Sequence, residues 1–494
     1  MKMLDYAYEK TMEYIDYMPK DQRKKYGQFF TSKETARFMA ELFSFPKKQS
    51  LRILDPGAGS GILSIALIEK LESIPSIETI ELTCYENDPN IIHLLESNLD
   101  WVGKHSTKTI LYNVVVDNYI LSQKINYNYL LEANLNPERF DMVIGNPPYM
   151  KISKNSPEAT AMPDVCYGAP NLYFLFATMS MFNLHEDGEM VYIIPRSWTS
   201  GAYFKQFRKR LLSNGVLRHI HLFARRDKVF EKENVLQETI IIKLLKTSVT
   251  PTEVTITTTQ SSADFSKRTS FSAPYSTIVS GKDTYVYLAT NVKEIQVLNK
   301  LNHWTNTLPD IGLRMKTGLT VDFRNRDLLR NSAEKDAVPL FFSQHIQNGE
   351  VMFPVGKDNE YIVTNQNGLL QKNTNYLFVK RFTAKEEHRR LQCGVYLAHK
   401  YPEYKEISTQ NKINFICGLH NLSEYAVYGL YVLFNSTLYD NYYRILNGST
   451  QVNSTEINSM PVPPMAIIES MGKELIVANN MSEKSCDNIL RSYI

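Results

Sequence analysis

The sequence predicts an α/β protein: a mostly parallel sheet with helices on both faces, followed by a second domain of mixed α+β structure. Three observations carry this. Nearly continuous apolar runs alternate with helical runs through the first half, the pattern of strands buried on both faces. A glycine-rich loop joins the first of these runs to a helix. The alternation then stops, in a chain whose 494 residues exceed what one average domain needs.

The elements follow in chain order. LRILD (51–55) is a short apolar run ending in Asp55; a glycine loop and ILSIALIEKLE, with helical spacing, come next. IELTCYE (80–86) reads as the next strand and NVVVDNYI as a third, with Asp117 at its end. DMVIGN (141–146), EMVYIIP (189–195) and TIIIKLL (239–245) continue in the same style. Near 246–285 the texture turns rich in Ser and Thr and poor in large aliphatics, which predicts the domain junction: residues 1–250 form one domain and 251–494 the other. The second half carries more Asn, Tyr, Gly and dispersed Lys/Arg, with no clean βα alternation and no internal repeat.

Composition sets bounds. Hydrophobic residues make up 43% and charged residues 22%, ordinary values that exclude long disorder. The formal net charge is only +3, so a nucleic-acid surface has to be a local patch. Five cysteines lie scattered without a CxxC pair, which argues against a zinc site or a disulfide framework and fits a reducing cytosol. The polar start MKMLDYAYEK shows no signal peptide, and no apolar run approaches the ~20 residues of a membrane span.

Asp55-Pro56-Gly57-Ala58-Gly59-Ser60-Gly61 lies between a strand and a helix, where Gly57, Gly59 and Gly61 allow positive φ and close approach of a ligand to the backbone. Such a loop alone also suits other nucleotide sites or a tight turn. Glu86 ends the next strand, where an acid in doubly wound folds grips ribose hydroxyls; an acid in a solvated loop is the alternative. Asp117 can accept from an adenine amino group or cap a helix.

Asn146-Pro147-Pro148-Tyr149 follows DMVIG and is the most informative tetrapeptide. Two prolines fix φ and remove two donors, leaving a rigid stretch that offers acceptors. The Asn146 side-chain oxygen and the Pro147 carbonyl can both accept from one exocyclic amino group. Held out of the base plane, that nitrogen aims its lone pair at an electrophilic methyl. Tyr149 supplies an aromatic face for a planar substrate. Geometry is then the main catalytic lever. A plain proline turn after a strand is the alternative, and it requires neither Asn146 nor Tyr149.

In motif order the chain resembles the gamma class of DNA adenine-N6 amino-methyltransferases. LDPGAGSG resembles that class's cofactor loop, YENDP its ribose-binding strand end and NPPY its catalytic motif. KYGQFFT (25–31) resembles the N-terminal motif, which assigns Thr31 to the methionine end of the cofactor. PNLYFLFATMSMF (170–182) and EDGEMVYIIPRSW (186–198) resemble the next two blocks. DKVFEKENVLQETIIIKL resembles the block whose aromatic packs on a flipped base, which assigns Phe230 to the face opposite Tyr149; an ordinary core phenylalanine would read the same. More narrowly, RMKTGLTVDFRNRD, YLFVKRFTAKEEHRR and LYVLFNSTLYDNYYRILNGSTQVN are similar to PstI/BsuBI-type restriction-modification methylases, over roughly residues 20–465. Ser32 departs mildly, standing where many relatives have proline.

The resemblance implies a Rossmann-like S-adenosylmethionine-dependent methyltransferase domain with a C-terminal target-recognition domain, the two forming a cleft for double-stranded DNA. It implies S-adenosylmethionine as cofactor, a flipped adenine stacked between Tyr149 and Phe230, a short palindromic site such as CTGCAG, and a separately encoded restriction endonuclease as a partner. Phosphate contacts are expected among Lys316, Arg324, Arg326, Lys380, Arg381, Arg389 and Arg390, and base readers among Arg324, Asn325, Asn447, Thr450, Gln451 and Asn453. For any one of these a solvated surface charge is the commoner reading, and KEEHRR suits an exposed helix face with ion pairs. Glutamine methylation of proteins also uses NPPY, in shorter chains without a long second domain. RNA base methylation fits the motif alone, and a catalytically dead DNA-binding scaffold would not need it. Cytosine-C5 chemistry needs a nucleophilic cysteine, usually after proline, and none of the five follows one. Cytosine-N4 methylation commonly has Ser where this chain has Asn146. Glu403-Tyr404-Lys405 mimics part of a nuclease signature without a paired acidic strand before it.

Overall fold

The computed structural model describes residues 1–17, 31–45, 47–133, 139–223, 238–384, 386–447 and 450–494. The chain divides into two compact units, Met1–Thr199 with Tyr203–Val279, and Ser200–Ala202 with Ser280–Ile494.

The first unit is built on one nine-stranded sheet. Its strands are β1 (Ser50–Pro56), β2 (Thr79–Tyr85), β3 (Thr109–Val115), β4 (Phe140–Gly145), β5 (Leu184–Pro195), β6 (Val216–Phe223), β7 (Thr239–Leu245), β8 (Glu253–Thr259) and β9 (Thr269–Pro274). They lie in the order β3-β2-β1-β4-β5-β7-β6-β8-β9. β7 and β9 run against the other strands; every other pairing, from β3 through β5 and between β6 and β8, is parallel. The α/β class is therefore as expected, and the apolar central strands carry its core: Leu51, Ile53, Val143, Ile144, Val191, Ile193 and Ile241 are buried.

The junction expected at 250 lies instead at Val279. The Ser/Thr-rich stretch is a strand pair of the first sheet: β8 pairs parallel to β6 and antiparallel to β9. EVTITTT alternates, with Val254 and Ile256 buried. Threonine, β-branched and half polar, suits such an outer strand.

Chain reversal places the functional loops. The register Asp55↔Cys84 aligns the C-terminal ends of β1 and β2, Tyr85↔Val115 those of β2 and β3, and Leu54↔Val143 brings β4 beside β1. The glycine loop, Glu86, Asp117 and Asn146 all leave this one carboxyl edge, where open α/β sheets bind ligands.

In the second unit, two short strands, β10 (Val279–Ser280) and β11 (Tyr285–Val286), mark its start. A six-stranded sheet then holds β12 (Leu313–Thr317), β15 (Ile346–Gln347), β16 (Glu350–Val351), β19 (Tyr376–Lys380), β20 (Cys393–Tyr396) and β22 (Ile413–Gly418). A five-stranded sheet holds β13 (Leu329–Arg330), β14 (Val338–Phe341), β17 (Tyr361–Ile362), β18 (Gln371–Lys372) and β21 (Glu406–Thr409). Phe341 of the five-stranded sheet joins Tyr376, Phe378, Tyr396, Ile413 and Phe415 of the six-stranded one in an aromatic-rich core. Helices Glu424–Asn435, Thr437–Leu446, Met465–Ala478 and Glu483–Arg491 follow, so this unit is mixed α and β. Among the described residues no helix is long and apolar enough to cross a membrane.

Candidate active site and candidate nucleic-acid interface

The loop after β1 is held open by its glycines. Gly57, Gly59 and Gly61 have φ of 79°, 57° and 83°, a region that disfavours any Cβ. Gly57 and Ala58 donate to the Tyr85 carbonyl at 2.8 and 2.9 Å, which ties the loop to β2. Gly61 starts the helix Ile62–Leu71, and a Cβ there would come within 2.9 Å of Leu95 Cδ1. Ser60 is fixed from behind: Thr11 Oγ1 donates to its Oγ at 2.8 Å and Asn98 Nδ2 to its carbonyl at 2.9 Å. Sequence reasoning missed both supports, since Thr11 lies on an N-terminal helix (Met3–Tyr17) whose sequence carries no motif.

Two acids face this loop. Asp55 is buried; its Oδ2 accepts from Ser64 Oγ at 2.5 Å, and its Oδ1 has no hydrogen-bond partner among the described residues. Burial pushes its carboxyl up to about 7 in spite of the Ser64 bond. Glu86, also buried, accepts from the Gly59 N–H at 2.8 Å with one oxygen, and from Asn87 and Asp88 N–H at 2.8 and 2.9 Å with the other. Burial raises its pKa and these three donors partly offset the rise. The solvated-loop alternative for Glu86 thus does not describe it. Asp117 is exposed two residues beyond β3, accepting from the Asn118 N–H at 2.6 Å. Helix capping there belongs to Asn118, whose Oδ1 accepts from Ile120 and Leu121 N–H, each at 3.1 Å.

Asn146 follows β4 directly and reaches back to the N-terminal motif: its Nδ2 donates to Thr31 Oγ1 at 3.2 Å. The Tyr149 hydroxyl lies 2.7 Å from Asn146 Oδ1 and 2.9 Å from the Ile193 carbonyl. Tyr149 is only 8% exposed, with its ring edge-to-face against Tyr173 at 6.3 Å. Gly145 admits no side chain, because a Cβ would meet the Tyr192 ring at 2.6 Å. The structure therefore brings Thr31, Asn146 and Tyr149 into one hydrogen-bonded group, with Pro147 between them. Phe230 lies outside the described residues, as do residues 25–30 of the N-terminal motif. Unpaired buried Asp55 Oδ1, three positive-φ glycines and Glu86 at a strand end suit a nucleoside-bearing, amine-bearing cofactor. No group of His, Cys, Asp or Glu among the described residues could hold a metal ion.

In the second unit, the registers Thr317↔Asn414 and Lys380↔Ile413 bring the end of β12, the end of β19 and the start of β22 to one end of the six-stranded sheet. Lys316, exposed, and Lys380 sit on those strand ends. Arg381 donates to the Asn411 carbonyl at 3.0 Å and reaches Gln451 Oε1 at 3.4 Å. Phe382 bridges Gln451, and Asn411 N–H bonds the Thr320 carbonyl at 2.8 Å. Arg324 and Arg326 are exposed in the following loop, and Asn325 donates to its own Val321 carbonyl at 2.8 Å. Lys316, Lys380, Arg381 and Gln451 thus share one sheet end. Asn411, Lys412 and Phe382 join them; the polar turn TQNKIN between two strands was the signal for the first two.

Three sequence expectations fail here. Arg390 is 1% exposed, bonding Thr383 Oγ1 at 3.2 Å and Asn447 Oδ1 at 3.5 Å, so it cannot grip phosphate. Asn447, 2% exposed, donates to Glu456 and to the Gln451 carbonyl, which removes it from the readers. Arg389 is tied to Glu483 at 3.2 Å and to the Ser436 carbonyl at 2.9 Å. KEEHRR is a turn and not a helix face over its described residues, with His388 outward and Arg390 inward.

Known proteins similar to this chain are type II methyltransferases and restriction-modification enzymes. Residues 76–230 match the model of the Eco57I restriction-modification methylase family. The chain is 33% identical over 465 residues to the type II methyltransferase M.PstI of Providencia stuartii, covering 92% of this chain and 90% of that one. It is 33% identical over 486 residues to the type II methyltransferase M.BsuBI of Bacillus subtilis, covering 96% and 94%. Among solved structures, the type IIL restriction-modification enzyme MmeI in complex with DNA aligns over 99% of this chain and 73% of its own, with a TM-score of 0.52 at 12% identity, which shows a shared fold.

Proposed function

This chain belongs to the PstI/BsuBI-type DNA methyltransferases of restriction-modification systems, and from that premise we propose that it moves a methyl group from S-adenosylmethionine to N6 of an adenine flipped out of duplex DNA. The observation that carries this reading is the group Thr31–Asn146–Tyr149 at the carboxyl edge of β4, beside the glycine loop of β1.

The bound cofactor supplies an electrophilic methyl group. Gly57, Gly59 and Gly61 would let it approach the backbone, Glu86 would hold its ribose, Asp117 its adenine and Asp55 its charged amine. Asn146 Oδ1 and the Pro147 carbonyl accept from the target amino group and draw its lone pair out of conjugation. Asn146 Oδ1 has two lone pairs, so it can accept from the Tyr149 hydroxyl, which fixes the amide, and from the substrate amino group as well. Tyr149 and Phe230 hold the flipped base, which must leave the duplex stack before its amine can be reached. Asn in the leading position of the motif, where N4-cytosine enzymes commonly carry Ser, favours adenine.

Lys316, Arg324, Arg326, Lys380 and Arg381 contact phosphates, while Arg324, Asn325 and Gln451 read bases. The site is a short palindrome, protected against a separately encoded endonuclease, and the protein works in the cytosol where its DNA lies.

Single-molecule sequencing of genomic DNA from a methylation-free host tests this. The expected result is one motif bearing N6-methyladenine, absent with Asn146→Ala. Soluble protein that binds S-adenosylmethionine yet marks no DNA motif overturns it.

A further inference from the structure

The strongest unassigned feature is one exposed ring on a rigid ribbon. Phe382 follows β19 and is 46% exposed. A single exposed phenylalanine is ordinary on a protein surface. This one is flanked by groups suited to nucleic acid and fixed by a network beneath it.

The ribbon comes first. Phe382 forms an antiparallel bridge with Gln451, Thr383 N–H bonds the Thr450 carbonyl at 3.3 Å and Val452 N–H the Arg381 carbonyl at 2.7 Å. Residues 381–383 and 450–452 are therefore one short two-stranded element. Its underside is polar and buried. Thr383 Oγ1 donates to the Arg390 carbonyl at 2.9 Å, Arg390 reaches Asn447, and Asn447 and Asn453 both donate to Glu456. Thr383, Arg390, Asn447 and Glu456 are all buried. A satisfied buried network of this kind holds a loop in one geometry. The ring is thus presented on a fixed support and loses little freedom when it binds.

Its surroundings select the partner. The Arg381 guanidinium lies 5.5 Å from the Phe382 ring centroid. Lys380, Lys412 and Gln451 adjoin it at the same sheet end. Cations and an amide around an apolar ring match a polyanion whose interior is a stack of aromatic bases. An apolar protein surface would not call for that rim.

We propose that Phe382 is a wedge: its ring enters the base stack at the edge of the recognition sequence, while Arg381 and Gln451 engage the adjoining phosphate and base edge. Apolar side chains between base steps unstack and kink DNA in this manner. In this enzyme the unstacking lowers the work of extruding the target base. The inference rests on duplex DNA as substrate and holds whichever base is methylated.

The test compares Phe382→Ala and Phe382→Trp with wild type. The duplex carries the site read from the genome of the wild-type host, either intact or with a mismatch at the target pair that is already partly unstacked. Phe382→Ala is expected to lose roughly tenfold in kcat/KM on intact duplex, by analogy with loss of one aromatic stacking contact. The loss should fall below threefold on the mismatch, the Kd for S-adenosylmethionine should not change, and Phe382→Trp should retain activity. Equal losses on both duplexes would make Phe382 a plain surface contact and overturn the wedge. So would an unchanged rate, or a wild-type dimer in light scattering that Phe382→Ala dissociates. Wild-type protein that methylates no duplex overturns the proposed function and the wedge that rests on it, whereas equal losses on active enzyme overturn the wedge alone, so the two failures are distinct.

Discussion

The Tyr149 hydroxyl lies 2.7 Å from Asn146 Oδ1, so the amide proposed to receive the substrate and the ring three residues on form one unit. Tyr149→Phe keeps the ring and removes the hydroxyl that orients the amide. One neutral hydrogen bond is worth about 1 kcal/mol, so single-turnover methyl transfer should slow by roughly five- to tenfold. Affinity for S-adenosylmethionine, read by calorimetry, should not change. A Tyr149→Phe enzyme with the wild-type transfer rate would show that the hydroxyl has no part in presenting Asn146.

Thr31 sits on the other side of the same amide, 3.2 Å from Asn146 Nδ2. Two roles for it are separable. If Thr31 orients Asn146, Thr31→Val lowers the transfer rate severalfold and leaves cofactor affinity nearly intact. If it acts by holding the methionine end of the cofactor, affinity falls and the rate at saturation persists. The geometry favours the first outcome. A weakened cofactor Kd with an unchanged saturating rate would reverse that assignment.

The carboxyl edge was legible because its chemistry is local in sequence: DPGAGSG, YENDP and NPPY each follow an apolar strand, and both-faced burial makes such strands continuous apolar runs. The contact of Thr31 with Asn146 was not legible, since it joins residues 115 positions apart. β8 was mistaken for a junction because its buried face is carried by only Val254 and Ile256 among threonines. β6, VLRHIHLF, was passed over for a similar reason: His219 and His221 interrupt the apolar run, although His221 is buried. In the second unit, Arg390 and Asn447 look in sequence like any surface Arg and Asn. Only the fold shows that they bond one another inside.

Asp55 stores a cost in the cofactor-free protein. Its carboxyl is raised from 3.8 to about 7 by burial, with the Ser64 hydrogen bond opposing. A folded-state pKa above the unfolded one means that this group's stability contribution is fully present below about pH 3.8 and is lost as pH rises through 7. At pH 8 the ionised form therefore costs on the order of a few kcal/mol. Asp55→Asn keeps an acceptor for Ser64 and removes the charge. Its cofactor-free Tm should exceed wild type at pH 8, with the gain shrinking towards pH 5. S-adenosylmethionine should bind at least tenfold more weakly, because an amide does not pair with its amine. Calorimetry with and without cofactor checks both parts; a lower Tm at pH 8 or an unchanged cofactor Kd sinks the assignment.

The histidine pair of β6 sets the acid limit. His219 Nε2 and His221 Nδ1 each lie 2.8 Å from Thr257 Oγ1, and His221 Nε2 is 3.1 Å from Thr259 Oγ1. The Thr257 hydroxyl has a single hydrogen, so one ring nitrogen receives it and the other donates, which suits two neutral imidazoles. Phe38 and Phe265 pack against His221 at ring-centroid distances of 4.6 and 5.1 Å. Burial lowers His219 to about 4, helped by the Lys243 and Arg268 charges, and lowers His221 to about 3, helped by His219 and Arg268 and opposed by Asp264. A depressed pKa contributes stability above the unfolded value of 6.5, lost as pH falls towards the folded values. Each histidine should therefore cost about 2 kcal/mol between pH 6.5 and 5, and Tm should fall steeply across that window. Asp55 titrates with the opposite sign and softens the slope. Replacing both with His219→Gln and His221→Gln keeps polar groups that cannot ionise, so the variant's Tm should be flatter from pH 7 to 5. A variant that tracks the wild-type curve would place the acid sensitivity elsewhere; Asp55, Glu86 and Glu456 could not supply it, because their raised pKa values favour the folded state at low pH, whereas the buried His345–Glu360 pair, with both pKa values lowered, could.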